Sequence, residues 1–121
     1  MSSKNADGTV LPPDHPDDEA AFAEILDRNR RVVVYFHAEW CQQCSVMDPL
    51  VADAAEAEET GVLWVDVERH PAIAARYDVS AVPTFVVLKG GEPTEELVGR
   101  QDRSTVETVL RGESRGPSVP R

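Results

Sequence analysis

An α/β architecture, with a mixed central sheet of four to five strands flanked by helices on both faces, is the fold class that the sequence predicts. Three observations carry it. Val32 to Phe36 is an unbroken run of five apolar or aromatic residues, β-branched enough to suit a strand covered on both faces. After it, Val46, Met47, Leu50, Val51 and Ala54 recur at helical spacing. The patterns along the chain then follow the order β-α-β and α-β-β-α, which builds one sheet with helices on two sides.

Taken in order, residues 1–16 hold three prolines and a glycine among polar groups and read as a flexible arm. Within it Thr9-Val10-Leu11 offers a short edge strand that Pro12 and Pro13 cut off. Residues 17–112 read as one folded domain, of a size able to bury a core. Its first helix is expected from Asp17 to Asn29, opened by Pro16, with Asp17, Asp18 and Glu19 at the positive end and Phe22, Ile25 and Leu26 turned inward. The strand at Val32–Phe36 follows. The next helix runs to about Glu59, with Thr60-Gly61 as its glycine cap and Pro49 inside it, which lacks an N–H and predicts a bend. Glu56, Glu58 and Glu59 read as a solvated face.

A second buried strand is expected at Val62–Val67, with Trp64 in the core. His70-Pro71 opens a short helix at Ala72–Tyr77, and a third inner strand covers Thr84–Leu88. Lys89-Gly90-Gly91-Glu92 turns it into a hairpin with Thr94–Val98. Asp102 caps the last helix, with Ser104 and Glu107 as the alternative capping box. Val106, Val109 and Leu110 face inward and Gly112 closes the helix. Residues 113–121, with two prolines and a glycine, read as a flexible tail. His15 and His70 fall in loop-like contexts and are expected to be exposed.

Charge and length narrow the functional classes. The net charge of −10 comes from 22 acidic against 12 basic residues, and without a basic patch nucleic acid is not an expected partner. No run approaches the roughly 20 apolar residues of a membrane span. The first residues lack the basic start and apolar core of a secretory signal, so a cytoplasmic location is expected. In that reducing compartment a lone cysteine pair is catalytic or metal-binding rather than a structural staple. Only Lys4 and Lys89 are lysines and the other ten basic residues are arginines. Acidic excess with few lysines suits a high-salt cytoplasm, where screening removes self-repulsion. A halophilic source is therefore expected, against the alternative of an ordinarily acidic protein.

Both cysteines of the chain lie in Cys41-Gln42-Gln43-Cys44, where the strand turns into the helix. The first turn of a helix carries backbone N–H groups without intrahelical partners and the positive end of the dipole. A thiolate is stabilised there and becomes a nucleophile near neutral pH. The second sulfur, about one turn on, can attack a mixed disulfide on the first and release the partner reduced. Cys41 is thus the expected attacking thiol and Cys44 the resolving one.

The segment Phe36-His37-Ala38-Glu39-Trp40-Cys41-x-x-Cys44 resembles the active site of the thioredoxin family. Pro49 matches that family's helix-kinking proline, Val82-Pro83-Thr84 its cis-proline loop, and Gly90-Gly91 and Gly99 its later glycines. The resemblance spans roughly residues 17–112 and implies a thioredoxin-like fold. It implies a cis bond before Pro83, which sequence alone would leave trans. It also implies a substrate groove in which the Val82 backbone pairs with an extended client strand, lined by Trp40, Ala81, Val82, Pro83 and Gly99.

The implied activity is that of a protein-disulfide reductase, a monomeric thiol–disulfide oxidoreductase. It would act on protein disulfides, be recharged by a thioredoxin-reductase-type donor and need no bound cofactor. Three departures from the pattern bear on its tuning. Gln42-Gln43 stands where thioredoxins have Gly-Pro, and Gln43 restores an amide that favours thiolate and a more oxidising disulfide. Tyr35 replaces a buried aspartate thought to accept the proton of Cys44, and Trp64 replaces its lysine neighbour. His37 replaces an aromatic residue and offers an imidazole for proton transfer, or a spacer.

Three alternatives stay open. One is a more oxidising, disulfide-isomerase-like enzyme. Another is a zinc or iron–sulfur module shared across a dimer, since two cysteines supply half of four ligands. The third is a redox-silent adaptor.

Overall fold

The structure, a computed structural model, describes residues 19–112. The expected arm, its short edge strand at residues 9–11, the tail, His15, and Asp17 and Asp18 at the expected start of the first helix lie outside the described residues. The elements in chain order are α1 (Glu19–Arg28), β1 (Arg31–His37), α2 (Gln42–Ala57), β2 (Leu63–Asp66), α3 (Pro71–Arg76), β3 (Thr84–Lys89), β4 (Glu92–Val98) and α4 (Arg103–Arg111).

The described strands form one mixed sheet in the order β2-β1-β3-β4. β1 runs parallel to β2, pairing Val34 with Leu63 through to His37 with Asp66. On its other side β1 is antiparallel to β3, from Arg31 with Lys89 to Phe36 with Thr84. Having a strand on each side, β1 spends its backbone groups on ladders, and its side chains alternate between two cores.

Val32, Val34 and Phe36 face one way, packing with Leu63, Val65, Val86 and Leu88 against Phe22 of α1 and Ile73 of α3. Val33 and Tyr35 face the other way, with Trp64, Phe85 and Val87, against Met47, Val51 and Ala54 of α2 and Val106, Val109 and Leu110 of α4. Five adjoining buried positions leave no polar face, which is why the strand reads as a continuous apolar run.

Helix ends follow local chemistry. The Asp102 side chain accepts the amide of Thr105 at 2.9 Å, so Asp102 is the cap of α4 and the Ser104–Glu107 alternative is not used. Gly112 closes α4 at φ 85°, a left-handed position that glycine adopts at little cost.

The end of α2 differs from expectation. The left-handed residue is Glu59, at φ 56°, not Gly61. Thr60 N–H bonds the Ala55 carbonyl at 2.9 Å and Glu59 N–H that of Glu56 at 3.1 Å, so the reversal is complete one residue before the glycine. Glu58 is not merely solvated either, because Arg111 Nη1 lies 3.0 Å from its Oε2 and ties the ends of α2 and α4. His70 is half-buried as the N-cap residue of α3 rather than exposed. β4 begins at Glu92, earlier than the expected Thr94. Pro93 is accommodated opposite Leu88 because β4 is an edge strand, with a register shift there.

Candidate active site at the start of the second helix

Burial of β1 fixes where the chain leaves the sheet. Beyond His37, Ala38 is buried and Cys41 N–H bonds the Ala38 carbonyl at 3.3 Å, folding the connection tightly back. Cys41 is the N-cap residue of α2, in extended conformation at φ −87° and ψ 115°. Its Sγ accepts the Cys44 amide at 3.1 Å, the place a side-chain oxygen takes at an ordinary N-cap. The two sulfurs are joined as a disulfide, with Cα atoms 5.2 Å apart. Gln42 and Gln43 occupy the exposed side of the same turn. The hydrogen bond drawn to the Cys41 sulfur comes from Cys44, whereas the sequence had pointed to the Gln43 amide.

The disulfide sits in a small apolar cluster of Ala38, Cys41 and Cys44, against which Val67 and Val82 pack. Cys41 Sγ lies 3.8 Å from the Val82 carbonyl oxygen. The Val82–Pro83 peptide is cis. Pro83 is buried, and its carbonyl accepts the Gly99 amide at 2.8 Å. Thr84 Oγ1 donates to the Ala81 carbonyl at 2.8 Å. Gly99 stands at φ 90°, and Gln101 Nε2 donates to the carbonyls of Val98 and Gly99 at 3.3 and 3.2 Å.

Of the residues expected to line a groove, Val82 packs against the cysteines, and Pro83, next in the chain, is bonded to Gly99. Ala81 lies on the surface just before them. Trp40 is 63 % exposed, and its Nε1 donates to Glu68 Oε2 at 2.7 Å, tying the indole to the turn after β2.

Beneath this surface lies a second, polar layer. The Tyr35 side chain is wholly buried, and its hydroxyl donates to Asp48 Oδ1 at 2.7 Å. Burial first, and then the hydrogen bond and negative charge of Asp48, push the phenol far above its ordinary range. His37 Nδ1 is 3.5 Å from Asp48 Oδ2. The His37 ring stacks on Tyr35 at 5.5 Å, and Trp64 meets both rings edge-on, at 5.0 Å from Tyr35 and 5.3 Å from His37. The position expected to hold a carboxylate therefore holds a phenol, and a carboxylate reaches that phenol from α2.

Sequence reasoning missed Asp48, Glu68 and Gln101. For Asp48 a signal existed, since it follows Cys44 by four residues and so shares its helix face. For Glu68 and Gln101, partners across loops, none did.

A family model described as Thioredoxin matches residues 15–112. A thioredoxin of Pyropia yezoensis is 33% identical over 89 residues, covering 72% of this chain and 83% of that protein. A protein of Mycobacterium leprae named bifunctional thioredoxin reductase/thioredoxin is 29% identical over 106 residues, covering 86% of this chain and 22% of that one. Among solved structures, a mutant thioredoxin from Halobacterium salinarum NRC-1 superposes with a TM-score of 0.71 at 30% identity, covering 88% of this chain and 98% of that one. No helix among the described residues is long and apolar enough to cross a membrane.

The Tyr35–Asp48 bond has a measurable pH signature. Because the folded-state pKa of Tyr35 is raised above the unfolded value near 10, its contribution is complete below about pH 10 and is lost as pH rises beyond it. Tyr35→Phe keeps the ring and removes the hydroxyl. Urea unfolding of the oxidised variant at pH 7 is expected to show a loss of about 1–2 kcal/mol. The steep fall in stability of the native chain above about pH 10 should shrink in the variant. Parallel stability curves through the alkaline range would remove Tyr35 from this role.

Proposed function

The chain belongs to the thioredoxin family, and from that premise we propose that it is a cytoplasmic, monomeric reductant of protein disulfides, recharged by a reductase of the thioredoxin-reductase type. It is a thiol–disulfide oxidoreductase. The single observation that carries the reading is the pair of sulfurs bonded to each other at the N-cap of α2.

We assign the attacking role to Cys41. Its thiolate attacks one client sulfur, and the other client sulfur leaves with the bonding pair and takes a proton. Cys44 then gives up its proton and attacks Cys41 Sγ, and the second client sulfur leaves and is protonated in turn. Two electrons and two protons pass to the client, and the chain is left as the disulfide.

Magnitudes favour Cys41 as the nucleophile. A helix N-terminus stabilises a nearby anion by about 0.3–1 kcal/mol, and by up to about 2 when partly buried. At about 1.4 kcal/mol per decade that is up to roughly a 25-fold shift toward thiolate. The Cys44 amide adds a charge-assisted hydrogen bond. Cys44 lies inside the helix and is only 1 % exposed, so it answers an attack made at its neighbour.

Trp40, Ala81, Val82, Pro83 and Gly99 form the groove in this reading, with the Val82 backbone beside Cys41 offered to an extended client strand. A reductase as electron donor is supported by the Mycobacterium leprae relative, whose name joins thioredoxin reductase and thioredoxin. A reducing cytoplasm keeps such a dithiol loaded. The charge of −10 supports adaptation to a salt-rich one.

Cys41→Ser should abolish the reduction of insulin disulfides in the presence of dithiothreitol; full activity in that variant would refute the assignment. Replacing Gln42-Gln43 by Gly-Pro removes one free amide from the first turn. Titration of the cysteine pair against glutathione should then give a potential more negative by on the order of 20 mV, the equivalent of one net hydrogen bond, and an unchanged or less negative value counts against the amide argument. If the acidic surface is an adaptation to salt, the melting temperature rises between low and multimolar KCl. Equal melting in both would end that part of the reading.

A further inference from the structure

Cys44 must lose a proton before it can attack, and it must regain one whenever the disulfide is reduced. In the disulfide-bonded structure only 1 % of its surface is exposed, so a nearby group that reaches solvent offers the proton a shorter path. The titratable groups facing this side of the sheet are few. At the cysteine end β1 brings Tyr35 and His37, β2 brings Asp66, and α2 brings Asp48, while Arg31 of β1 and Glu95 of β4, opposite Val87, stand on the same face toward the other end of the sheet. β3 and α4 contribute Phe85, Val87, Val106, Val109 and Leu110, none of which titrates.

Three of the four groups at the cysteine end are committed elsewhere. Tyr35 is a donor, held protonated by burial, and its hydroxyl is aimed at Asp48. Asp66 Oδ1 accepts the amides of Glu68 and Arg69 at 2.8 and 3.3 Å, inside the turn after β2. His37 turns Nδ1 toward Asp48 Oδ2. Asp48 differs from them. It stands four residues after Cys44, where Cβ atoms on one helix face are about 5–6 Å apart. Its side chain is 36 % exposed, so it faces water on one side and the buried layer on the other.

We propose that Asp48 is the proton acceptor of Cys44, with Tyr35 and His37 as the positioning residues that hold its two oxygens. The inference rests on the dithiol reading above. When Cys44 attacks, the Asp48 carboxylate takes the proton from Sγ, directly or across one water, and becomes a carboxylic acid. The sulfur electron pair forms the bond to Cys41 Sγ, and the client sulfur leaves with the pair of the bond that breaks. The acid then releases its proton to solvent at its exposed edge. Re-reduction runs the same path backward, water supplying the proton to Asp48 and Asp48 to the departing Cys44 thiolate. No further reactant is required.

The probe is 5,5′-dithiobis(2-nitrobenzoate) added to the reduced protein. Attack by Cys41 releases one coloured thiolate, and attack by Cys44 on the mixed disulfide releases a second, so the two steps are timed separately in one trace. Asp48→Asn keeps an oxygen to accept the Tyr35 hydroxyl and loses the base. The first release is expected to keep its rate. The second should slow about 100-fold near pH 7 and rise more steeply with pH than in the native chain.

Asp48→Glu should restore part of the rate. Tyr35→Phe, which only loosens the carboxylate, should slow the second release less than Asp48→Asn does. A second release in Asp48→Asn with the native rate and pH profile would overturn the assignment. Equal slowing of both releases would do the same, by reducing Asp48 to a structural part. If the native chain itself shows no second release, the dithiol reading fails first and the proposal with it.

Discussion

The amide of Cys44 pointing at the sulfur of Cys41 is the contact on which the chemistry of this chain depends, and it is held in place from behind. That contact exists because α2 starts where it does. α2 starts there because β1 cannot slide: it is paired on both edges, and a shift of one residue would exchange the side chains meant for its two cores. Five buried residues in β1 thus set the position of one sulfur to within a hydrogen-bond length. The energy that does this is ordinary apolar burial, about 1.5–3 kcal/mol for each large side chain, spent far from any reacting atom.

The same sheet explains why residues far apart in sequence meet at the site. β1 and β2 are parallel, so their C-terminal ends share an edge, while antiparallel β3 begins at that edge and β4 ends there. Phe36 pairs with Thr84, and Thr84 with Val98. One residue further out, Pro83 and Gly99 must lie beyond the sheet next to the connection that carries Cys41. Glu68, just after β2, comes to the same edge and meets Trp40. An edge built from four strand ends needs no packing design of its own; its parts are placed by ladder hydrogen bonds.

This division also decides what was legible in the sequence. The cysteine turn, the inner strands and the cap at Asp102 each rest on a few adjacent residues whose chemistry is local, and these read true. The end of α2 did not, because a glycine two places on drew attention from Glu59, which takes the left-handed position while neighbouring amides close the helix around it. Glu58 read as solvated because its partner, Arg111, is remote in the chain. Tyr35 was legible as a departure from the family pattern, but its consequence was not. The residue that answers it, Asp48, comes from another element, and only the fold brings the two within 2.7 Å. Side chains that act through partners on other elements leave no spacing to read.

The exchange of a deep carboxylate for a deep phenol has an energetic logic. A carboxylate at the position of Tyr35, which has no exposed surface, would have to be ionised out of water at a cost of several kcal/mol, or stay protonated. A phenol there remains neutral, and one hydrogen bond satisfies it. Moving the negative charge to Asp48, a side chain that keeps about a third of its surface in water, avoids most of that desolvation and leaves the charge on the helix that carries both cysteines. Charge and sulfur then move as one body, so any motion of the first turn that opens Cys44 to attack carries its base along. A proton path through the wall of the sheet is replaced by one along the face of a helix.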